Sequence, residues 1–204
     1  MCLYIPDTVT YSTANTPKLA YEGGVGIGRF HSLVSDFTEP LSETIKGFHN
    51  IRHRFEQWDA SVAADAAGRV ADLAEEISWI ASRREKMLAF WALVEDGTIP
   101  TRVTHNDTKL NNILFDADSG LPVCVIDLDT VMPSFIFSDF GDFLRSAANT
   151  GKEDDADLNN VQFNMEIFKA FAKGYIESAK VFLTPLEIEM LPYAAQLFPY
   201  MQAV

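Results

Sequence analysis

Four polar side chains stand at fixed intervals in one short stretch. Residues 104–115 read THNDTKLNNILF, carrying His105, Asp107, Lys109 and Asn112, and residues 125–129 read VIDLD, carrying Asp127 and Asp129. Between them, the apolar runs Ile113–Phe115 and Leu121–Ile126 flank the turn-forming sequence DADSG at 116–120, which predicts a β-hairpin. If the hairpin turns around Ser119 and Gly120, residues whose numbers sum to about 239 face each other. Asn112 then stands beside Asp127 at the open end. An amide carbonyl and a carboxylate suit a hard Mg²⁺ ion that keeps several waters and bridges phosphates. Asp107, on the loop leading into the hairpin, is placed to accept a proton from an attacking hydroxyl. A base beside a Mg²⁺ pair is the equipment of phosphoryl transfer from a nucleotide. Asp129, two residues past Asp127 on the same side of an extended strand, reads as a second metal ligand, a substrate contact or a solvated turn residue. His105 reads as the anchor of the loop.

Other elements must hold this stretch in place. Residues 1–16 are rich in Thr, Ser, Asn and Pro and read as an extended lead-in. From Pro17 a helical pattern sets Leu19, Gly23, Gly26, Phe30, Leu33 and Val34 on one side, with glycines where a neighbouring backbone can come close. The run Gly23-Gly24-Val25-Gly26-Ile27-Gly28 does not match a phosphate-cradling G-x-G-x-x-G and has no flanking hairpin, so it reads as part of this helix. A polar connection over Asp36–Gly47 leads towards a long helix over about Ala63–Glu95, with a stripe of Val70, Leu73, Ile77, Ile80, Met87, Trp91 and Val94. After Pro100 the segment Arg102–Thr104 reads as extended. Beyond the hairpin, residues 135–148, 160–180 and 185–203 carry helical periodicity, with an acidic loop over Gly151–Asp157. The chain ends on an apolar run, Leu197 to Val204, that predicts surface in need of a cover. The fold class is a mostly helical α+β arrangement with one short hairpin.

Composition narrows the function further. The 29 acidic and 16 basic residues give a formal charge of −13. A field of that sign repels nucleic acid and anionic lipid, so neither is expected as a partner. An anionic nucleotide can bind only where a cation or local N–H groups invert the potential. Cys2 and Cys124 are the only cysteines and make no disulfide framework. No run reaches a membrane-spanning length free of charge, and the expected compartment is cytoplasmic.

The wording of three segments carries a resemblance: HNDTKLNNIL at 105–114, VIDLDTVMP at 125–133 and SDFGDFLR at 138–145. The first fits the H-x-D-x-x-x-x-N spacing of kinase catalytic loops. Together they resemble the N-acetylhexosamine 1-kinases within the aminoglycoside phosphotransferase and choline kinase superfamily, from about Tyr21 onward. The resemblance implies ATP as co-substrate, Mg²⁺ as cofactor and transfer to the anomeric hydroxyl of a small sugar. It implies catalytic roles for Asp107 and Lys109, with Lys109 neutralising charge on the transferred group. The metal pair is Asn112 with Asp127, and Asp129 is a further candidate. Asp139-Phe140-Gly141 looks like the metal-binding triplet of protein kinases, but it follows the hairpin and opens a helix. The resemblance implies instead that Asp139 braces the loop behind the ligands, as His105 anchors it, with Asp142 and Arg145 as a helix ion pair. No residue is singled out for binding the acceptor.

The same resemblance implies a protein-kinase-like large C-terminal lobe over 17–204, with the catalytic loop and metal hairpin at 104–130. It lacks the small N-terminal lobe whose β-sheet covers ATP and supplies a strand lysine. Neither Lys18 nor Lys46 has that context. Three expectations follow: a lobe with weak or no activity alone, half of a split enzyme whose missing lobe comes in trans, or a sugar- or metal-binding regulatory module. An aminoglycoside- or choline-type acceptor is the alternative to a sugar, and an open cleft face would favour self-association.

Overall fold

The computed structural model describes residues 3–151 and 155–204; Cys2 and residues 152–154 of the expected acidic loop lie outside the described residues. In chain order the elements are β1 (Thr8–Val9), α1 (Pro17–Leu33), α2 (Ile51–Ala64), α3 (Ala74–Glu95), β2 (Arg102–Thr104), β3 (Ile113–Asp116), β4 (Pro122–Val125), β5 (Met132–Ser134), α4 (Ile136–Ala147), α5 (Met165–Ala179) and α6 (Pro185–Ala203). The result is a mostly helical α+β fold with two small antiparallel sheets, β1-β3-β4 and β2-β5.

Local chemistry explains where the helices begin. Thr16 caps α1 by accepting from the Leu19 N–H, with Pro17 in the first turn. Thr184 and Glu187 form a reciprocal capping box at the start of α6. Glu187 is fully buried, and its charge is matched by a bidentate Arg102 at 2.7 and 2.8 Å that ties β2 to α6.

Between Asn50 and Glu95 the structure corrects the sequence reading. There are two helices, not one from Ala63. Asn50 caps α2, and Asp65 ends it in a left-handed conformation at φ 39°, followed by Gly68 at φ 64° and a 3-10 turn at Val70–Leu73. Ile51, Phe55, Trp58 and Val62 do recur at helical spacing, a signal carried by few residues because only Ile51 and Phe55 are buried. Of the stripe assigned to α3, Ile80, Met87 and Trp91 are buried, whereas Leu73 lies before the helix and is exposed.

Helix α1 runs between α5 and the hairpin, and its glycines decide how close both come. A Cβ on Gly24 would collide with the Phe171 carbonyl oxygen, one on Gly28 would lie 2.9 Å from the Tyr175 carbonyl oxygen, and one on Gly174 would collide with the Tyr21 carbonyl oxygen. On the other side Gly23 faces Phe143 and Leu110, and Gly26 faces Pro122 and Ile113. Because α1 is buried on two sides, its stripe differs from the one read in the sequence. Leu33 is 80% exposed and His31 is buried. Behind α1, Phe143 stacks on Phe171 at 3.9 Å, and Phe140 tilts against the same ring at 5.1 Å. Nor does the apolar chain end need an outside cover. Leu197, Phe198, Tyr200 and Met201 are buried, and α6 crosses α4 with Phe198 against Gly141.

The backbone contact between α1 and α5 leaves no room for a methyl group, so Gly174→Ala is expected to overpack it. The cost should be roughly 1–3 kcal/mol, read as a lowered urea midpoint with an unchanged slope. A midpoint equal to that of the unsubstituted chain would contradict this packing.

Candidate active site

The loop from His105 to Asn112 leaves β2, whose Thr104 pairs with Met132 of β5, and runs into β3. Its shape is imposed by a buried carboxylate at the start of α4. The Asp139 Oδ2 accepts the His105 N–H at 2.7 Å, and Oδ1 accepts the Asn106 N–H at 2.6 Å. The backbone carbonyl of Asp139 accepts the Thr108 hydroxyl at 2.6 Å. Holding two successive amides on one carboxylate places Asn106 at φ 66°, a left-handed conformation that asparagine tolerates better than most residues. A second layer holds Asp139. The His31 Nε2–H donates to Oδ2 at 2.6 Å, and the Tyr175 hydroxyl donates to His31 Nδ1 at 2.9 Å. Burial alone would raise the Asp139 pKa, but the His31 and loop N–H donors offset it and hold the carboxyl below the usual range. Burial pushes the Tyr175 phenol well up, which keeps it a donor.

Further hydrogen bonds join the loop to the hairpin. The His105 Nε2–H donates to the Ile126 carbonyl at 2.8 Å, leaving Nδ1 to accept the Asp107 N–H at 3.3 Å. Thr130 Oγ1 donates to the His105 carbonyl at 2.7 Å, and the Asn106 amide donates to Thr104 and Thr130 carbonyls. His105 therefore touches both the residue before Asp127 and the backbone of Asp107.

Asp107 is half-buried and doubly held. Its Oδ2 accepts from Asn112 Nδ2 at 3.1 Å, and its Oδ1 lies 3.3 Å from Lys109 Nζ. Asn112 Nδ2 also donates to the Asp107 carbonyl at 2.8 Å. With its NH₂ committed to Asp107, buried Asn112 has its carbonyl oxygen left for a cation. The register brings Asp127 close but not directly opposite. Ile113 pairs with Val125 and Leu114 with Cys124, and then the pairing shifts so that Phe115 meets Pro122. Pro122 has no N–H for the ladder, and Val123 is the bulged residue. The residue facing Asn112 is thus Ile126, whose N–H it accepts at 2.9 Å, and Asp127 is the next one.

Asp127 also breaks the strand. Its φ of 63° turns the chain into a 3-10 turn at Leu128–Thr130. Asp129 therefore does not follow Asp127 along one strand face, and the extended-strand reason for pairing the two falls away. Both carboxylates are exposed. Among the described residues no three His, Cys, Asp or Glu side chains gather to hold a metal. The donor set fits a Mg²⁺ ion bound by one or two protein oxygens with phosphates and waters completing the shell.

Several contributors carry no local signal in the sequence. The lead-in supplies β1, where Thr8 pairs with Asp116 and Val9 with Phe115, so the hairpin is the inner part of a three-stranded sheet. His31 holds Asp139 and Tyr175 holds His31, Thr130 bonds the His105 carbonyl, and Thr108 of the loop bonds the Asp139 carbonyl, all contacts that only the tertiary fold brings together. Asp142, one turn past Asp139, pairs with Arg145 at 3.0 Å.

A model of the phosphotransferase enzyme family matches residues 4–174, a span that includes β1, the loop, the hairpin and the Asp139 brace. The chain belongs to this family. Among the described residues no helix is long and apolar enough to cross a membrane.

Two buried groups near the loop titrate in opposite senses. Burial lowers His49 from its usual 6.5 to about 4, whereas burial raises Asp142 to about 6 against the pull of Arg145. A histidine with a depressed folded pKa adds stability as pH rises from about 4 to 6.5; a carboxyl with a raised one loses stability as pH rises from about 4 to 6. In the intact chain these slopes oppose each other. Asp142→Asn should uncover the rising histidine limb, on the order of 3 kcal/mol, and His49→Gln the falling carboxyl limb. Urea unfolding at several pH values between 4 and 7 reads both. Identical pH profiles in the two variants would show that these groups do not titrate as their burial requires.

Proposed function

We propose that this member of the phosphotransferase enzyme family supplies the acceptor and metal side of an ATP- and Mg²⁺-dependent kinase for a small hydroxylated molecule. The anomeric hydroxyl of an N-acetylhexosamine is the first choice of acceptor. The observation that carries the reading is the Asp107–Asn112 contact. One side-chain amide fixes the carboxylate with its NH₂ and keeps its carbonyl oxygen for a cation, close to Asp127.

In the proposed reaction the acceptor oxygen attacks the γ-phosphorus of ATP while its proton passes to the Asp107 carboxylate. The bond from the γ-phosphorus to the β–γ bridging oxygen breaks, and ADP leaves with that electron pair. The Asn112 carbonyl oxygen and the Asp127 carboxylate would hold Mg²⁺, which would supply charge neutralisation at the nucleotide phosphates. Asp129, in the turn beyond, stands outside this pair. Lys109, 3.3 Å from Asp107, is positioned to carry charge on the transferred group. His105 and Asp139 keep Asp107 in place and do not themselves meet the substrate. In this reading the sheet that covers ATP and brings a strand lysine is provided from outside the described residues.

With the sheet that covers ATP supplied in cis or in trans, incubation with Mg-ATP and N-acetylglucosamine or N-acetylgalactosamine, followed by ³¹P NMR, is expected to show a sugar 1-phosphate. Asp107→Asn should reduce its rate by about 10²–10⁴-fold. A phosphorylated aminoglycoside or choline in place of sugar phosphate would move the acceptor to the other branch of the superfamily. Product formation that survives Asp107→Asn would remove the proposed base.

A further inference from the structure

Packing does not hold the turn that follows Asp127. None of Leu128, Asp129 and Thr130 is buried, and Leu128 is 55% exposed. Asp127 is itself exposed, so the place of its carboxylate depends on the backbone to either side. That backbone is secured by the 105–112 loop. Before Asp127, the Ile126 carbonyl accepts the His105 Nε2–H at 2.8 Å. After it, Thr130 is bonded twice: its hydroxyl donates to the His105 carbonyl at 2.7 Å, and its own carbonyl accepts from the Asn106 NH₂ at 3.1 Å. The same NH₂ donates to the Thr104 carbonyl at 3.3 Å, which ties the turn to the end of β2. His105 and Asn106 are the two residues immediately before Asp107, so the groups that hold the turn of Asp127 also set where Asp107 leaves the loop.

The residue type at 106 suits this task narrowly. A φ of 66° disfavours most side chains, and asparagine, aspartate and histidine are the ones enriched there. Of these, asparagine carries two N–H donors on one nitrogen. An aspartate would set an anion against two carbonyl oxygens, and a glycine would accept the backbone but bring no donor. Asn106 is also buried, so its bonds form where water does not compete for them.

We propose that Asn106 and Thr130 are positioning residues, a clamp that fixes the separation between the base Asp107 and the metal ligand Asp127. This rests on the phosphotransferase reading above and adds to it the means by which the two halves of the site keep their spacing. In-line transfer needs the attacking oxygen, oriented at the base, and the γ-phosphate, oriented through the cation, in one fixed alignment, and a small misplacement is costly. Neither Asn106 nor Thr130 meets the reacting atoms in this scheme. Asn112 is tied to Asp107 directly, so opening the clamp releases Asp127 and leaves the Asp107–Asn112 contact in place.

Three variants of the full chain test the clamp. Thr130→Val removes the hydroxyl at nearly constant shape, Thr130→Ser keeps it, and Asn106→Gly keeps the left-handed backbone without the NH₂. Mn²⁺-ATP affinity, read by calorimetry, is expected to fall about 10–100-fold in Thr130→Val and Asn106→Gly and to stay within about twofold in Thr130→Ser. At saturating Mn²⁺-ATP, paramagnetic broadening of backbone amides should fade over residues 126–130 in the two opened variants and persist over 107–113, where Asn112 still faces the cation. General loosening of the fold would weaken both segments together, and that result would overturn the clamp. So would a Thr130→Ser that fails as Thr130→Val does. If Thr130→Val and Asn106→Gly bind and broaden as the unsubstituted chain does, the clamp is overturned and the kinase reading stands. If the unsubstituted chain binds no Mn²⁺-ATP, the phosphotransferase reading falls and the clamp with it.

Discussion

The Asp139 carboxylate, buried and shared between two backbone amides and one imidazole, is the interaction on which the rest of the site depends. A charge with no exposed surface is tolerable only if donors surround it, and the donors here are the N–H groups of His105 and Asn106 together with His31. Satisfying it fixes the loop conformation, including the left-handed turn at Asn106, and so fixes the direction in which Asp107 leaves the loop. The requirement extends outward through His31 on α1 and Tyr175 on α5. Those two helices approach closely enough to complete the chain of hydrogen bonds because Gly24, Gly28 and Gly174 remove the side chains that would separate them. The helix packing and the geometry of Asp107 are one constraint.

The proposed catalytic stretch and its hairpin stood out in the sequence because their pattern is local. Loop, apolar strand, turn and second strand lie within a few dozen residues, and residue type alone distinguishes base, amide and carboxylate. Local pattern also located α1 and α4 to α6 to within a few residues. What escaped was set by tertiary contact. Thr8–Val9 has too few residues to show alternation and is a strand only because β3 offers it an edge. The break at Asp65 between α2 and α3 lies among alanines that suit a helix equally well. The pairing shift at Pro122 moved Asp127 one place past Asn112, and its positive φ removed the strand face on which Asp129 was counted. His31 carried no local signal linking it to an aspartate more than a hundred positions later.

The net charge of −13 gains a physical context from this arrangement. In the proposed reaction a polyphosphate must approach the carboxylates of Asp107, Asp127 and Asp129, and Lys109 faces Asp107 as Arg145 faces Asp142. A divalent cation is the means by which such a surface and a nucleotide can coexist. The family match agrees with this requirement at the level of phosphoryl transfer.

The account stands or falls on whether the Asn112–Asp127 end of the hairpin binds a metal–nucleotide complex. Paramagnetic broadening of backbone amide signals by Mn²⁺-ATP, mapped along the chain by NMR, measures this directly. The account predicts that broadening centres on residues 107–113 and 126–130 and is lost in Asn112→Ala. Broadening centred elsewhere, or unchanged by that substitution, would contradict it.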